Sequence, residues 1–404
     1  MASYDAIPNG AKSQPTKYMV SIPEEKVQQM KQLITLSPIG PETWENLQES
    51  RDLREFGISR NWLNSAKAEW EKYNWRASEA YINSFPNFTL PVTDDDGRTY
   101  TIHFVALFST NPLAIPIAFF HGWPGSFLEF LPMLELIKNK FPSPDQLPYH
   151  IIVPSLPGFA FSDPPPKDKD WTIHDSARLL HKVLESLGFG ENGYVAQGGD
   201  LGSFVSRSLA SRYDACKAMH LNFCPVGKPE GISDSEANEA ELKALDRGNA
   251  FSNAGFAYAM EHATRPATIG LALSASPIAL LAWIGEKFYT WTDTPPSLNT
   301  ILESVSLYWL TSTFPTSIYT YRRMIGPRAS QPTFHAQPEN HVHKPFGFSW
   351  FPKELIPVPR SWVASTGNLV WHKQHSSGGH FAAMERPDAI LEDVEDFVGK
   401  VWKI

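Results

Sequence analysis

From Ile115 to Phe223 the sequence alternates between short apolar segments and longer amphipathic ones, and this alternation restricts the fold more than any other feature. The apolar segments resemble buried strands and read IPIAFF, YHIIVPS, GYVAQ and CKAMHLNF. The segments between them are typical of helices and read FLEFLPMLELIKNKF, IHDSARLLHKVLESLGFG and LGSFVSRSLASRY. We therefore predict an α/β fold with a mostly parallel, doubly wound sheet and helices on both faces. Functional side chains are expected at the carboxyl ends of the strands.

The rest of the chain divides around this alternation. Residues 1–88 carry polar helical patterns and predict a helical N-terminal region that wraps something larger. Residues 89–223 form the first part of the sheet domain, which opens with the hairpin pattern DDDGRTYTIHFVALFS. Residues 224–340 are helical, aromatic and punctuated by proline, which indicates a cap inserted into the sheet domain. Residues 341–404 resume with the strand patterns PFGFSWF and NLVWHK and end in a helix.

Composition and charge argue against several classes of protein. The 404-residue chain has a net charge of −8 and no basic block, so we expect no nucleic-acid partner. Its two cysteines argue against a disulfide framework and favour a reducing compartment. The first residues lack the apolar segment of a signal peptide, and the sequon at Asn87 is only weak evidence for secretion. We therefore expect a soluble, cytoplasmic protein.

The longest apolar run, IGLALSASPIALLAWIG, extends from Ile269 to Gly285. Pro277 and two serines interrupt it, and it is shorter than a comfortable membrane span. It predicts a buried helix pair, so we expect no integral membrane segment. The sequence leaves the oligomeric state open, and a homodimer is one state that it allows.

The segment QGGDLGS stands where the strand GYVAQ gives way to a helix. Gly198, Gly199 and Gly202 flank Asp200 in the small-x-nucleophile-x-small pattern of a strand–turn–helix elbow. We attribute these glycines to strained backbone angles and to a helix that starts close behind the turn. An aspartate before a helix is also a common N-cap, which leaves a structural role open. Because the chain contains no G-x-S-x-G motif, the pattern favours a carboxylate nucleophile over a serine.

A carboxylate nucleophile forms an ester, and cleavage of that ester requires a base that activates water. Histidine held by an acid is the usual base, and both should follow late strands. Between Tyr321 and His380 the acidic residues are Glu339 and Glu354, and Glu354 comes directly after the strand pattern PFGFSWFP. We therefore predict Glu354 as the acid, with a surface glutamate as the alternative. Among the three late histidines we prefer His380, in the loop SSGGHFAAMERP, over His372 and His375.

Hydrolysis of an ester also requires donors for a developing oxyanion. The segment HGWPGS follows the strand IPIAFF, and the backbone N–H groups of Trp123 and Leu201 could point at that charge. The alternative is an ordinary strand–helix turn. The tight turn is compatible with a cis bond between Trp123 and Pro124.

These segments resemble those of one known family over nearly the whole chain. The motifs that carry the resemblance are NWRASEAYINSFPNF, HGWPGS, PSLPGFAFSDPP, QGGDLGS, FPKEL and GGHFAAMERP. In order and spacing they are similar to the microsomal-type epoxide hydrolases, especially their soluble fungal members. The resemblance implies an α/β-hydrolase fold with a helical lid and an N-terminal meander. It also implies that Asp200, His380 and Glu354 are nucleophile, base and charge-relay acid.

The resemblance further implies two lid tyrosines that activate the epoxide oxygen. The lid contains Tyr258, Tyr289, Tyr308, Tyr319 and Tyr321. The family pattern falls on Tyr258, eight residues before the proline of TRP, and on Tyr321, which precedes an arginine. Packing is the alternative role for any one of them. The chain departs from many relatives at Leu201, where they carry tryptophan. Many animal relatives have an N-terminal membrane anchor, and we expect none in this chain.

We expect an epoxide hydrolase that converts a small-molecule epoxide and water to a vicinal diol through an ester on Asp200. No cofactor or metal is expected, since no cluster of histidines and cysteines has the spacing of metal ligands. A haloalkane dehalogenase shares the aspartate nucleophile, but it commonly has a tryptophan at the position of Leu201. A catalytically silent receptor of the same fold should lack one member of the triad.

Overall fold

A nine-stranded mixed sheet lies at the centre of the protein, in a computed structural model that describes residues 3–329 and 333–403. In chain order its strands are β1 (Thr16–Lys17), β2 (Asn87–Thr93), β3 (Thr99–Leu107), β4 (Ile115–Phe120), β5 (Tyr149–Pro154), β6 (Tyr194–Gly198), β7 (Cys216–Leu221), β8 (Val342–Trp350) and β9 (Gly367–Gln374). Across the sheet they follow the order β1-β2-β3-β5-β4-β6-β7-β8-β9. All pairs from β5 to β9 are parallel, and the three pairs from β1 to β5 are antiparallel. The predicted mostly parallel sheet is therefore confirmed.

The antiparallel end of the sheet holds the predicted hairpin and one strand that the sequence did not indicate. Strands β2 and β3 pair in register, and the turn between them contains Gly97 with a φ of 81°. Strand β1 pairs with β2 and has two residues. A strand this short shows no alternation of apolar and polar residues, so no pattern could reveal it.

Helices cover both faces of this sheet and fill the insertion between β7 and β8. They are α1 (Glu24–Leu36), α2 (Arg60–Lys72), α3 (Trp75–Asn83), α4 (Leu131–Lys140), α5 (Ile173–Ser186), α6 (Phe189–Asn192), α7 (Asp200–Arg212), α8 (Glu239–Ala250), α9 (Ala257–Thr264), α10 (Pro266–Leu273), α11 (Pro277–Thr290), α12 (Leu298–Thr311), α13 (Phe314–Ser317), α14 (Tyr321–Met324), α15 (Arg360–Ala364), α16 (Ala382–Glu385) and α17 (Pro387–Val401). Helix α5 packs on α7, and α4 packs on α17. Helices α8 to α14 form the lid.

Local sequence signals explain where several helices begin and end. Thr172 and Asp175 form a capping box at the start of α5, and Gly188 follows its end with a φ of 93°. The helical segment from Arg60 onward folds as two helices, since α2 ends at Lys72 and α3 begins at Trp75. Asn74 then caps α3 by accepting a hydrogen bond from the Arg76 N–H.

The long apolar run folds as the helix pair α10 and α11, which are bent by 116° relative to each other. Helix α11 is largely buried, but the prediction of burial is wrong for the outer face of α10, where Leu271 is 77% exposed. Across the described residues no single helix is both long and apolar enough to span a membrane, and only this bent pair meets those criteria jointly.

The side chain of Asn87, the sequon asparagine, is buried at the start of β2. Its amide donates to the carbonyl of Ile82 at 2.9 Å and to that of Phe85 at 2.8 Å. These bonds hold the chain between α3 and β2, and they leave the amide unavailable to a glycan.

Candidate active site

Asp200 stands at a sharp turn between β6 and α7. Its φ is 42°, in the left-handed region, although it is not a glycine. A Cβ on Gly202 would lie 1.9 Å from the Phe120 carbonyl oxygen, and one on Gly198 would lie 2.2 Å from the Gly202 oxygen. The attribution of strained angles to the glycines is therefore wrong. The glycines permit close approach of α7 to β4 and β6, and the strain falls on Asp200 itself.

Asp200, His380 and Glu354 form a continuous hydrogen-bonded chain. His380 Nε2 lies 3.1 Å from Asp200 Oδ2, and His380 Nδ1 lies 2.5 Å from Glu354 Oε1. The side chains of Asp200, His380 and Glu354 are 18%, 1% and 4% exposed. The carboxylate of Asp200 is thus the member of this chain that solvent reaches most.

Backbone hydrogen bonds fix the two partners of Asp200 in place. Glu354 follows β8, and its Oε1 also accepts from the Leu355 N–H at 2.6 Å. His380 follows β9, and its N–H donates to the Trp291 carbonyl of the lid at 3.1 Å. All three side chains of the chain lie beyond the carboxyl ends of parallel strands, where a doubly wound sheet places its sites.

Two carboxylates determine the protonation of His380. Burial alone would lower the pKa of this imidazole, because a buried cation loses its hydration. The charges of Glu354 and Asp200, which also accept hydrogen bonds from the ring, outweigh burial and raise the pKa of His380 to about 10. The free site therefore holds an imidazolium between two carboxylates at neutral pH. Loss of the charge on Asp200 would lower the pKa of His380 again.

The turn after β4 places a backbone donor on the other oxygen of Asp200. The Trp123 N–H donates to Asp200 Oδ1 at 2.7 Å, and the bond from Trp123 to Pro124 is cis. His121 supports the turn, since its Nε2 accepts from the Leu156 N–H at 3.1 Å. Leu201 lies in the first turn of α7, where backbone N–H groups have no carbonyl partner within the helix.

The structure brings Tyr258 of α9 and Tyr321 of α14 together above this turn. Their ring centroids are 5.9 Å apart, and the Trp123 ring stacks on Tyr258 at 5.3 Å and meets Tyr321 edge-on at 6.0 Å. Burial raises the pKa of both phenols well above the usual value, and the negative charge of Asp200 raises it further. Both side chains are therefore neutral hydroxyl donors at neutral pH.

The other three lid tyrosines have partners elsewhere. The Tyr319 hydroxyl bonds with Ser176 Oγ at 2.7 Å, and the Tyr289 ring lies 5.4 Å from the Arg51 guanidinium. The Tyr308 hydroxyl donates to the Gly125 carbonyl at 2.9 Å. Outside the lid, His375 was the less favoured candidate for the base. Its Nε2 lies 2.6 Å from Asp393 Oδ2.

The sequence patterns did not predict one buried acid near Asp200. Glu129 lies in the turn Phe127–Phe130 and lines a small cavity with Asp200 and His380. A charged residue inside the apolar segment FLEFL was the signal that could have found it, since acids are rarely buried without a partner or a function.

Aromatic rings form most of the remaining walls. Trp291 and Phe223 each meet the His380 ring edge-on, at 5.2 Å and 5.4 Å. Phe314 packs against Trp123. The site therefore combines the charged side chains of Asp200, His380 and Glu354 with apolar aromatic walls. This combination suits a small ligand of low polarity.

Three features define the protein as an α/β-hydrolase. They are an acidic residue at a strand–turn–helix elbow, a histidine after the last strand, and a helical lid on a mostly parallel sheet. Residues 115–246 match the family model described as alpha/beta hydrolase fold. Residues 15–130 match the model described as Epoxide hydrolase N terminus.

Solved structures and a curated relative agree with this assignment. The epoxide hydrolase from Aspergillus niger is 50% identical, covers 99% of this chain and 100% of its own, and superposes with a TM-score of 0.92. Epoxide hydrolase 1 from Oryctolagus cuniculus is 29% identical over 86% of this chain and 81% of its own length. The juvenile hormone epoxide hydrolase from Bombyx mori, at 23% identity and a TM-score of 0.83, covers 98% and 96% of the two chains and supports the fold. The chain belongs to the epoxide hydrolase family of enzymes.

Proposed function

We propose that the protein converts an epoxide and water to a vicinal diol through a hydroxyalkyl ester on Asp200. The observation that carries this proposal is the placement of the Asp200 carboxylate between the Trp123 N–H and His380, below two neutral tyrosines. A carboxylate so fixed attacks carbon and does not serve as a helix cap. In this site Asp200 is the nucleophile, His380 the base and Glu354 its supporting acid.

The first step opens the epoxide ring. Asp200 attacks one ring carbon, and the bond between that carbon and the epoxide oxygen breaks. Tyr258 and Tyr321 hold the oxygen, and one of them donates its proton as negative charge develops, after which solvent reprotonates the phenolate. The step requires no further activation, because hydrogen bonds to a developing oxyanion in a buried site strengthen as its charge grows.

The second step hydrolyses the ester. Ester formation removes the charge of Asp200, so the pKa of His380 falls and the imidazolium releases its proton to solvent. The neutral imidazole then takes a proton from water as the water oxygen attacks the acyl carbon. Glu354 stabilises the new imidazolium, and the N–H groups of Trp123 and Leu201 bind the oxyanion. Departure of the diol regenerates the carboxylate.

The aromatic walls favour an epoxide that carries an apolar substituent.

Several expectations stay predictions from the sequence. They are a cytoplasmic location, a homodimer as an allowed state, the absence of a nucleic-acid partner and the four segment boundaries. No step of the proposed reaction requires a cofactor.

Replacement of the base tests the ester directly. We expect His380→Gln, incubated with styrene oxide, to gain the mass of one substrate molecule, with the addition mapped to Asp200 by peptide mass spectrometry. The exposed His343→Gln variant is the matched control and should turn over without adduct. Unchanged diol formation by His380→Gln, with no adduct, would contradict the mechanism. Halide release from a chloroalkane would favour the dehalogenase alternative.

A further inference from the structure

Lys287 of α11 is a buried cation beside the phenol of Tyr258. Its side chain is 5% exposed, and its ammonium lies 5.0 Å from the centroid of the Tyr258 ring. The same ammonium lies 5.5 Å from the Trp283 ring and 5.8 Å from the Trp291 ring. Three aromatic rings therefore surround one positive charge, an arrangement in which the ring electrons attract the cation.

The carboxylate partner of this ammonium is partly in solvent. Glu286 Oε2 lies 2.9 Å from Lys287 Nζ, and the Glu286 side chain is 29% exposed. Burial lowers the pKa of Lys287, and the charge of Glu286 opposes that effect. The charge of Glu286 also raises the pKa of Tyr258, but less than burial and Asp200 do. Because water screens the carboxylate more than the buried ammonium, the ammonium keeps a net effect on the ring.

The two phenols above Asp200 are not equivalent. Burial raises the pKa of both, but a hydrogen bond between their hydroxyls lowers the pKa of Tyr258 and raises that of Tyr321. The Tyr321 ring meets the His262 ring edge-on at 4.9 Å. Burial and the charge of Lys287 lower the pKa of His262 to about 3, so this neighbour of Tyr321 is neutral. Tyr258 is therefore the phenol that releases its proton more readily.

We propose that Lys287 promotes ring opening through Tyr258, because its ammonium stabilises the phenolate that Tyr258 becomes when it gives its proton to the epoxide oxygen. The inference rests on the ring-opening step proposed above. Asp200 bonds to the ring carbon, the carbon–oxygen bond breaks, and the electron pair left on the oxygen takes the Tyr258 proton. The phenolate charge spreads into the ring, so a cation over the ring attracts it more than it attracts the neutral phenol. Lys287 keeps its own proton.

Measurement of ring opening apart from ester hydrolysis tests this role. With saturating styrene oxide, rapid quenching and intact-protein mass spectrometry give the rates of ester formation and ester loss. Lys287→Met removes the charge and keeps a long apolar side chain. We expect it to form the ester about 10-fold more slowly and to lose it within about twofold of the wild-type rate. The exposed Lys243→Met of α8 is the matched control and should change neither rate.

A second substitution shows whether the effect passes through Tyr258. In the Tyr258→Phe background no phenolate forms beside the ammonium, so Lys287→Met should change ester formation by less than about twofold. In the Tyr321→Phe background the phenolate still forms, and Lys287→Met should keep its effect of about 10-fold. Equal slowing in the two backgrounds would overturn the proposal.

A fluorinated tyrosine separates the charge of Lys287 from its packing. With a tetrafluorinated tyrosine at position 258, a far more acidic phenol, the phenolate absorbance measures the ionisation of that residue directly. We expect Lys287→Met to move the midpoint of this titration about one pH unit higher. An unchanged midpoint, or equal slowing of ester formation and ester loss in Lys287→Met, would overturn the proposal. Absence of an adduct in His380→Gln would instead refute the ester mechanism itself.

Discussion

Asp200 illustrates how one residue combines backbone strain with charge. A non-glycine residue in the left-handed region costs about 1–2 kcal/mol, yet the turn requires it because α7 must start directly behind β6. The sequence predicted this residue from the glycines around it. It could not predict that the glycines permit close contacts and that Asp200 has the strained backbone. Strain on the glycines and strain on Asp200 are both compatible with the same sequence.

The charge on His380 makes the stability of the protein depend on pH. Its pKa is raised from 6.5 to about 10 in the folded protein, so the folded state binds the proton more tightly than the unfolded chain. The stabilisation is fully present below about pH 6.5 and is lost as the pH rises toward 10. We expect the free energy of unfolding, measured with urea, to fall more between pH 7 and pH 10 in wild type than in His380→Gln. Parallel decreases in both proteins would contradict the assigned ion pairs.

At the scale of elements, the lid brings two short helices over the elbow. The residues alone could not distinguish which of the five lid tyrosines face Asp200, because four of the five are buried and burial does not single out any of them. The resemblance to a family supplied Tyr258 and Tyr321, and the structure places both against Trp123. Helix geometry, not composition, decides which hydroxyl reaches the site.

Removal of either hydroxyl should slow the first step. Each of Tyr258→Phe and Tyr321→Phe is expected to reduce the rate of ester formation about 10-fold to 100-fold, the worth of one hydrogen bond to a charged group. Burst-phase kinetics with styrene oxide would measure it. Tyr319→Phe is the matched control, because its hydroxyl bonds to Ser176 and should leave the rate unchanged. Full activity in both single variants would contradict the roles of the two phenols.

The contact between α7 and β4 should be intolerant of any added side chain. A Cβ at Gly202 would lie 1.9 Å from a backbone oxygen that cannot move aside, so Gly202→Ala should lower the free energy of unfolding by about 1–3 kcal/mol. Gly399→Ala in α17 meets open space and should stabilise the helix by up to about 1 kcal/mol. Urea unfolding of both variants measures the contrast, and equal stabilities would show that the elbow is not tightly packed.

At the scale of the whole molecule, the N-terminal region binds the lid rather than the sheet alone. Arg51 donates to the carbonyls of Tyr289 and Thr292 at 2.8 Å each, and Trp70 donates to Ser306 at 2.9 Å. The sequence predicted the sheet because strand and helix patterns are local. It could not predict these long-range contacts, since they join polar groups that no periodicity relates.

The oxygen source of the diol tests the ester most directly. In a single turnover of styrene oxide in heavy-oxygen water, with enzyme in excess, the account predicts unlabelled diol and one labelled oxygen in the carboxylate of Asp200, read by peptide mass spectrometry. Labelled diol with no label in the protein would mean that water attacks the epoxide directly, and it would contradict the account.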